Sequence, residues 1–261
     1  VAFVSLGCSK NLTDTEAVMT RVRDAGFDIT AEEEGADAVV LNTCAFLESS
    51  AKESLLEVER LSEAKSEGRI RHLSVIGCFP TRFGPSPEHP GVDEWLPIVR
   101  EGELPALLAR KFGVQAPCTG GRVQATPSHT AYLKISEGCN HVCTFCAIPS
   151  IRGRMKSRPL QQLLNEAAQM ADAGVRELNL VAEDSTDWGR DIFGKPALHV
   201  LLEALSRVKD LRWIRLLYAY PSKVSDEVIA ILGAGGPVLP YLDIPMQHAS
   251  DRVLAPVLED T

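Results

Sequence analysis

Cys139, Cys143 and Cys146 are separated by three and then two residues in the run Glu137-Gly138-Cys139-Asn140-His141-Val142-Cys143-Thr144-Phe145-Cys146. Three thiolates on one short loop can hold three irons of a 4Fe-4S cube and leave the fourth iron without a protein ligand. Such an iron is open to a small molecule, so it is a chemical site as well as an electron store. Zinc would instead close a tetrahedron, usually with Cys-x2-Cys pairs. His141 is a fourth candidate ligand inside the loop, so structural zinc stays open beside the cluster, as do unligated core thiols.

Three further cysteines each follow a short apolar run: residues 1–7 then Cys8, 38–43 then Cys44, and 73–77 then Cys78. Helical patterns lie between the runs. Thr13 with Glu16 forms a capping box for a helix that stops at Gly26, and Ser50 with Glu53 forms another for a helix to about Ser66. Alternating strands and helices imply a parallel sheet, whose ligands gather at the carboxyl ends of the strands. All three cysteines fall at that end. Each alone reads as a buried small hydrophobe; together at equivalent strand ends they read as a second ligand set.

Residues 113–129 are rich in Pro, Gly and Thr and read as a linker. Cys118 lies within it and is given no role. Beyond the linker, strands are expected over 132–136, 177–182, 212–218 and 241–244. Helices are expected over 160–173, 197–208 and 226–232, the last capped by Ser225. Repeats of this length suit an open or closed α/β barrel. The expected fold class is therefore α/β, with an N-terminal parallel sheet domain over 1–115, a linker over 116–129, and a partial (β/α) barrel over 130–261. The chain starts without Met and ends on Leu258-Glu259-Asp260-Thr261, so it reads as a fragment with the last barrel units lying further on.

Composition narrows the setting. The 261 residues are 45% hydrophobic and 24% charged, which suits a globular protein of ordinary kind. No apolar run reaches the roughly 18 residues of a membrane span, and no basic flank marks a signal peptide, so a cytoplasmic protein without membrane contact is expected. Seven cysteines in a reducing compartment point to metal or catalysis rather than disulfides. Of the net charge of -8, residues 1–115 carry -7 and the remainder -1. An acidic first half does not suit a phosphate backbone, so direct nucleic-acid binding is not expected; it suits a basic protein partner or a solvated surface.

The loop around Cys139, Cys143 and Cys146 resembles the signature of the radical S-adenosyl-L-methionine (SAM) superfamily. Ser5-Leu6-Gly7-Cys8-Ser9-Lys10-Asn11, Asn42-Thr43-Cys44-Ala45-Phe46 and Ile76-Gly77-Cys78-Phe79-Pro80-Thr81-Arg82 extend the resemblance to its methylthiotransferases. Within that family, Leu216-Leu217-Tyr218-Ala219-Tyr220-Pro221 and the segment Leu239 to Ser250 are similar to the branch that methylthiolates the β-carbon of an aspartate in ribosomal protein S12. The resemblance implies two 4Fe-4S clusters. Cys139, Cys143 and Cys146 would hold the one that cleaves S-adenosyl-L-methionine to a 5′-deoxyadenosyl radical. Cys8, Cys44 and Cys78 would hold an auxiliary cluster that carries the sulfur. It also implies a one-electron reductant such as flavodoxin or ferredoxin.

Phe145, beside the last ligand, is expected to pack on the adenine. Glu183, Asp184 and Gln247, at strand ends, are expected to face the cofactor at the barrel mouth. Arg152, Arg154, Lys156 and Arg158 form a basic patch for a reductant, for the cofactor carboxylate or simply for solvent. His141 and His248 read as supporting or surface residues rather than ligands. Two residues depart from the family pattern: Ala45 replaces a common glycine, and Glu183 replaces a common glutamine, placing a carboxylate near the sulfonium. The family's C-terminal substrate-recognition barrel does not occur in these 261 residues. Three rivals remain: an enzyme acting on adenosine in transfer RNA (tRNA), a two-cluster electron carrier, which would need eight thiols, and a structural zinc module.

Overall fold

The computed structural model describes residues 1–114 and 120–254. It divides into two compact units, the first Val1–Ala125 and the second beginning at Thr126. Cys118 lies outside the described residues. Among those residues no helix is long and apolar enough to cross a membrane.

In the first unit the order is β1 (Ala2–Ser5), α1 (Ser9–Asp24), β2 (Ala38–Thr43), α2 (Glu48–Ser66), β3 (His72–Gly77), α3 (Cys78–Phe83), β4 (Glu94–Pro97) and α4 (Leu104–Phe112). The sheet runs β1-β2-β3-β4 and every pairing is parallel. Period-two alternation splits its side chains between two cores. Val39, Leu41, Leu73 and Val75 pack with Val58 and Leu61 of α2, while Ala38, Val40, Ile76 and Leu96 pack with Val18 and Val22 of α1 and Leu104 and Leu108 of α4. Burial on both faces explains why β2 and β3 read as unbroken runs.

Both expected capping boxes are corrected. α1 starts at Ser9 behind Cys8, and α2 starts at Glu48 behind Leu47, neither with a side-chain cap. Thr13 lies inside α1 and donates to Lys10 O at 2.7 Å. Glu16 is wholly buried there, where Arg122 and the Ala125 amide reach it at 2.5 and 2.8 Å. These tertiary partners, together with Val123 N to Thr20 Oγ1 at 2.9 Å, tie residues 122–125 to α1.

The second unit contains β5 (Thr130–Lys134), β6 (Ser136–Glu137), α5 (Ile148–Arg152), β7 (Lys156–Ser157), α6 (Leu160–Asp172), β8 (Glu177–Val181), α7 (Arg190–Phe193), α8 (Leu198–Leu205), β9 (Trp213–Leu216), α9 (Asp226–Gly233), β10 (Val238–Leu242) and α10 (Asp251–Leu254). The main sheet is β10-β9-β8-β5, again wholly parallel, and β6 pairs with β7 in a separate antiparallel ribbon. Ala131, Leu133, Leu178, Leu180, Ile214 and Leu216 of the sheet pack with Leu163, Leu201, Leu202 and Val228 of the helices. The alternate positions Asn179 and Arg215 carry polar groups, which bond to Thr130 Oγ1 and to Glu177 respectively. One apolar, helix-covered face and one polar face is the pattern of barrel strands with a lumen side. Ser225 caps α9 as expected, accepting from Val228 N at 3.4 Å. The strand expected over 241–244 instead spans Val238–Leu242.

Candidate metal centres

The register of the first sheet aligns Ser5 with Asn42 and Thr43 with Gly77, so β1, β2 and β3 end level. Cys8 follows as the residue before α1, Cys44 follows β2 directly, and Cys78 opens α3. Two glycines permit the approach. A Cβ on Gly7 (φ 92°) would stand 2.7 Å from Cys44 Cβ and 3.1 Å from its Sγ; one on Gly77 (φ 97°) would stand 2.1 Å from Asn42 Oδ1. Cys44 is fixed further by Ser54, whose Oγ accepts from Cys44 N at 3.1 Å and donates to Cys44 O at 2.7 Å. Ala45 is buried without left-handed backbone, since Asp210 and Tyr218 are the described non-glycine residues with positive φ. Its carbonyl accepts from Arg82 at 2.5 Å.

In the second unit the loop from Gly138 to Cys146 is held on the chain that follows it. Cys139 N donates to Gly153 O at 3.1 Å, and Met155 N donates to Asn140 Oδ1 at 3.1 Å. A Cβ on Gly138 (φ 75°) would meet the carbonyl oxygens of Gly153 and Arg154 at 2.5 Å, so this residue must be glycine for the loop to seat. Cys146 N donates to Cys143 O at 3.0 Å, which turns the last two thiols onto a tight bend. Cys139 is buried and the other two are half-buried. Burial pushes the Cys139 thiol up to about 11 and raises Cys143 as well. Thiols raised in this way hold protons that a metal would have to displace.

Each set offers three thiols on short segments; a cubane takes its thiolates on three separate irons, and this soft donor chemistry fits that group.

Two polar networks surround the second set. His141 is buried, stacked on Tyr220 at 4.2 Å between ring centroids, with Nε2 2.8 Å from Asp184 Oδ2 and 3.2 Å from Lys223 Nζ. Burial by itself would raise Asp184, but hydrogen bonds from His141 and Thr186 and the charge of Lys223 outweigh it and hold the carboxyl below its usual range. In the second network Arg152 Nη1 bonds Glu137 Oε1 at 2.7 Å, and its Nε lies 3.6 Å from Glu183 Oε1. The Arg152 and Glu183 side chains are 2% and 3% exposed. The Glu183 carboxylate thus faces an internal cation, and Asp184 is engaged by His141.

Phe145 is 54% exposed and lines a pocket of about 230 Å³ together with Gln247, His248, Val253 and Leu254. Gln247 does not end a strand as expected: β10 stops at Leu242, and Gln247 lies on the exposed loop that follows. The structure therefore brings Phe145 and Gln247 together and seats Glu183 and Asp184 in buried ion pairs. The basic patch also divides. Arg152 points inward, Arg158 bonds Glu166 and Lys134 O, and Arg154 and Lys156 remain exposed.

Sequence reasoning missed Lys223 and Tyr220 as partners of His141, and Asn11 as a partner of Cys78 at 3.5 Å. It also missed the left-handed backbone at Tyr218 (φ 58°), which Asp243 and Ser185 hold through Tyr218 N and O. No local signal marks any of these, because every partner is distant in sequence.

Residues 1–90 match a family described as uncharacterized protein family UPF0004, and residues 133–260 match the Radical SAM superfamily. The chain is 41% identical over 97% of its length to ribosomal protein uS12 methylthiotransferase RimO of Symbiobacterium thermophilum, spanning 55% of that relative. It is 38% identical to the protein of that name from Sulfurihydrogenibium sp., spanning 58% of it, and 40% identical to that from Myxococcus xanthus, spanning 55%. The chain thus covers 55% to 61% of the curated relatives named alike. Solved structures share the fold at low identity. The radical SAM methyltransferase TsrM of Kitasatospora setae has a TM-score of 0.61 at 14% identity, covering 94% of this chain and 58% of that one. The cobalamin-dependent radical enzyme OxsB has a TM-score of 0.63 at 12%, covering 100% of this chain and 45% of that one.

Proposed function

We propose that this chain, which belongs to the radical SAM methylthiotransferases, is the cluster-bearing part of an enzyme that adds a methylthio group to the β-carbon of an aspartate in ribosomal protein S12. The observation that carries the reading is the pair of three-thiol sets, one in each unit, within a chain about 40% identical to relatives named uS12 methylthiotransferase. No side-chain base can remove a proton from such a carbon at neutral pH, so the reaction calls for radical chemistry. Cys139, Cys143 and Cys146 would hold a 4Fe-4S cluster that, with S-adenosyl-L-methionine, would supply hydrogen-abstracting radical chemistry, and Cys8, Cys44 and Cys78 would hold a second cluster as the source of sulfur.

The protein's own part is to hold and orient. The Gly153 carbonyl and the Asn140 side chain fix the first-ligand end of the radical loop, and His141 pins its middle to the β8 end through Asp184. Arg152 pairs with Glu183, so a sulfonium bound nearby would meet a carboxylate already balanced by an internal cation. Phe145 offers a flat apolar face for the adenine, and Gln247, across the same pocket, offers an amide to its polar edge. Arg154 and Lys156 give an exposed basic edge beside the loop for an acidic one-electron reductant such as flavodoxin or ferredoxin. The acidic residues 1–115 favour a basic ribosomal protein at long range.

The test uses the full-length protein, reconstituted anaerobically with iron and sulfide and incubated with S-adenosyl-L-methionine, reductant, ribosomal protein S12 and tRNA. Mass spectrometry is expected to find one methylthiolated aspartate in S12 and unmodified tRNA. Methylthiolated adenosine in tRNA with S12 untouched would move the assignment to the tRNA enzymes.

A further inference from the structure

The Asn11 side chain, 1% exposed, reaches all three cysteine-bearing segments of the first unit. Its Nδ2 donates to Leu6 O at 3.0 Å and to Thr43 O at 2.9 Å, and its Oδ1 accepts from the Cys78 thiol at 3.5 Å. Leu6 stands two residues before Cys8, and Thr43 stands next to Cys44. Each thiol therefore lies on, or within two residues of, an atom that Asn11 holds.

We propose that Asn11 is the positioning residue of the auxiliary iron-sulfur site, setting the spacing of Cys8, Cys44 and Cys78 before iron arrives. The assignment rests on the reading that those three thiols hold a cluster. The ladder between the first two strands continues as far as Leu6 N to Asn42 O at 2.9 Å. Beyond that rung the ladder no longer fixes the first loop against the second, although Thr43 still meets Gly77 and Phe79 N at the end of β3, and the carbonyls of Leu6 and Thr43 need donors. Asn11 satisfies both from one rigid group.

The residue type matters. Two donors and one acceptor in a plane, on a side chain with a single methylene, is a set that asparagine alone offers. Aspartate would turn acceptors toward two carbonyls, serine has one donor, and glutamine is one methylene longer. The orientation of the amide is dictated by its partners, because a flipped group would set Oδ1 against the same carbonyls. The backbone beneath it is equally fixed: Asn11 O accepts from Asn42 Nδ2 at 3.0 Å and from Thr15 Oγ1 at 2.9 Å. Gly7 leaves the space, since a Cβ there would stand 3.3 Å from Asn11 Nδ2 and 2.7 Å from Cys44 Cβ. When Cys78 takes iron its thiol hydrogen is lost, so the contacts that persist are those to Leu6 and Thr43.

The experiment compares the full-length parent with Asn11→Ala and Asn11→Asp, read by thermal melting of the metal-free chains, iron content after reconstitution and the EPR spectrum of the reduced protein. The metal-free variants are expected to melt cooperatively. They are expected to retain about four irons where the parent holds about eight, and the remaining signal is expected still to change on addition of S-adenosyl-L-methionine. Iron content near eight with an unchanged spectrum in a folded variant overturns the assignment. Loss of cooperative melting in both variants also overturns it, by making Asn11 a folding residue. A parent that itself binds only about four irons locates the failure in the two-cluster reading and removes the site that Asn11 would position.

Discussion

Replacing Arg152 by Leu tests whether the buried ion pair behind the radical loop holds that region together. Arg152 Nε and Glu183 Oε1 are 3.6 Å apart, with side chains 2% and 3% exposed. Two unit charges at that separation attract by about 5 kcal/mol at an effective dielectric of ~20. Desolvation cancels much of this, so the intact pair contributes little net stability. Removing the cation alone is different, because the carboxylate keeps its desolvation cost and loses its neighbour, typically at about 3–5 kcal/mol. Glu137 also pairs with Lys134, which softens the loss on that side. The expected cost is about 3 kcal/mol, the low end of that range. For a chain of this size that is roughly 6–12 °C in Tm. Circular dichroism melting of the metal-free chain at neutral pH reads the shift. Adding Glu183→Gln to the Arg152→Leu chain removes the buried charge and should recover more than half of it. A shift under about 3 °C, or a double variant no more stable than Arg152→Leu alone, would refute the argument.

Three further outcomes are expected. Gly77→Ala places a Cβ 2.1 Å from Asn42 Oδ1 at a residue with φ 97°, while Asn42 is itself held by bonds to Asn11 O and Thr15 Oγ1. It should lower stability by about 3 kcal/mol or more; a urea midpoint equal to the parent's would show that the strand ends can yield. Cys143→Ala should reduce reconstituted iron from about eight to about four and abolish S-adenosyl-L-methionine cleavage, and cleavage retained by that variant would remove the radical-site assignment. His72 is buried, with Nε2 2.9 Å from Ser74 Oγ, and burial holds it below its ordinary value against the pull of Asp93. A depressed histidine contributes stability above its unfolded value of about 6.5 and loses it as pH falls through that value toward the folded one. The parent's urea midpoint should therefore fall from pH 8 to pH 5 more steeply than that of His72→Gln, and parallel profiles would count against a neutral buried ring.

What the sequence made legible, and what it hid, follows from how far each signal reaches along the chain. β2 and β3 were plain because burial on both faces makes an unbroken apolar run, and the level strand ends then followed from the parallel order. β4, only Glu94–Pro97, lies at the sheet edge and ends in proline, so neither length nor pattern announced it. β10 begins three residues before the expected Tyr241 because Pro240 inside it hides the strand pattern; among the described residues β10 ends the sheet order, where a missing donor is tolerated. The start of α1 is hidden because Thr13 and Glu16 look like a cap, while their partners are Lys10 O for the first and Arg122 and Ala125 N for the second. The same division runs through the candidate site. The spacing of Cys139, Cys143 and Cys146 is local, and strand ends carry Cys8, Cys44 and Cys78, so both candidate sets are visible in the residues alone. The groups that orient them could not: Lys223 lies 82 residues from His141, Asn11 lies 67 from Cys78, and Arg152 meets Glu183 from a different element. Apolar periodicity repeats and so survives as a pattern, whereas a polar partnership is made once, between two positions that the fold alone brings together. A candidate site of this kind therefore shows its thiols in sequence and its supports only in three dimensions, so variants of Asn11 and Arg152 test it as directly as variants of the cysteines.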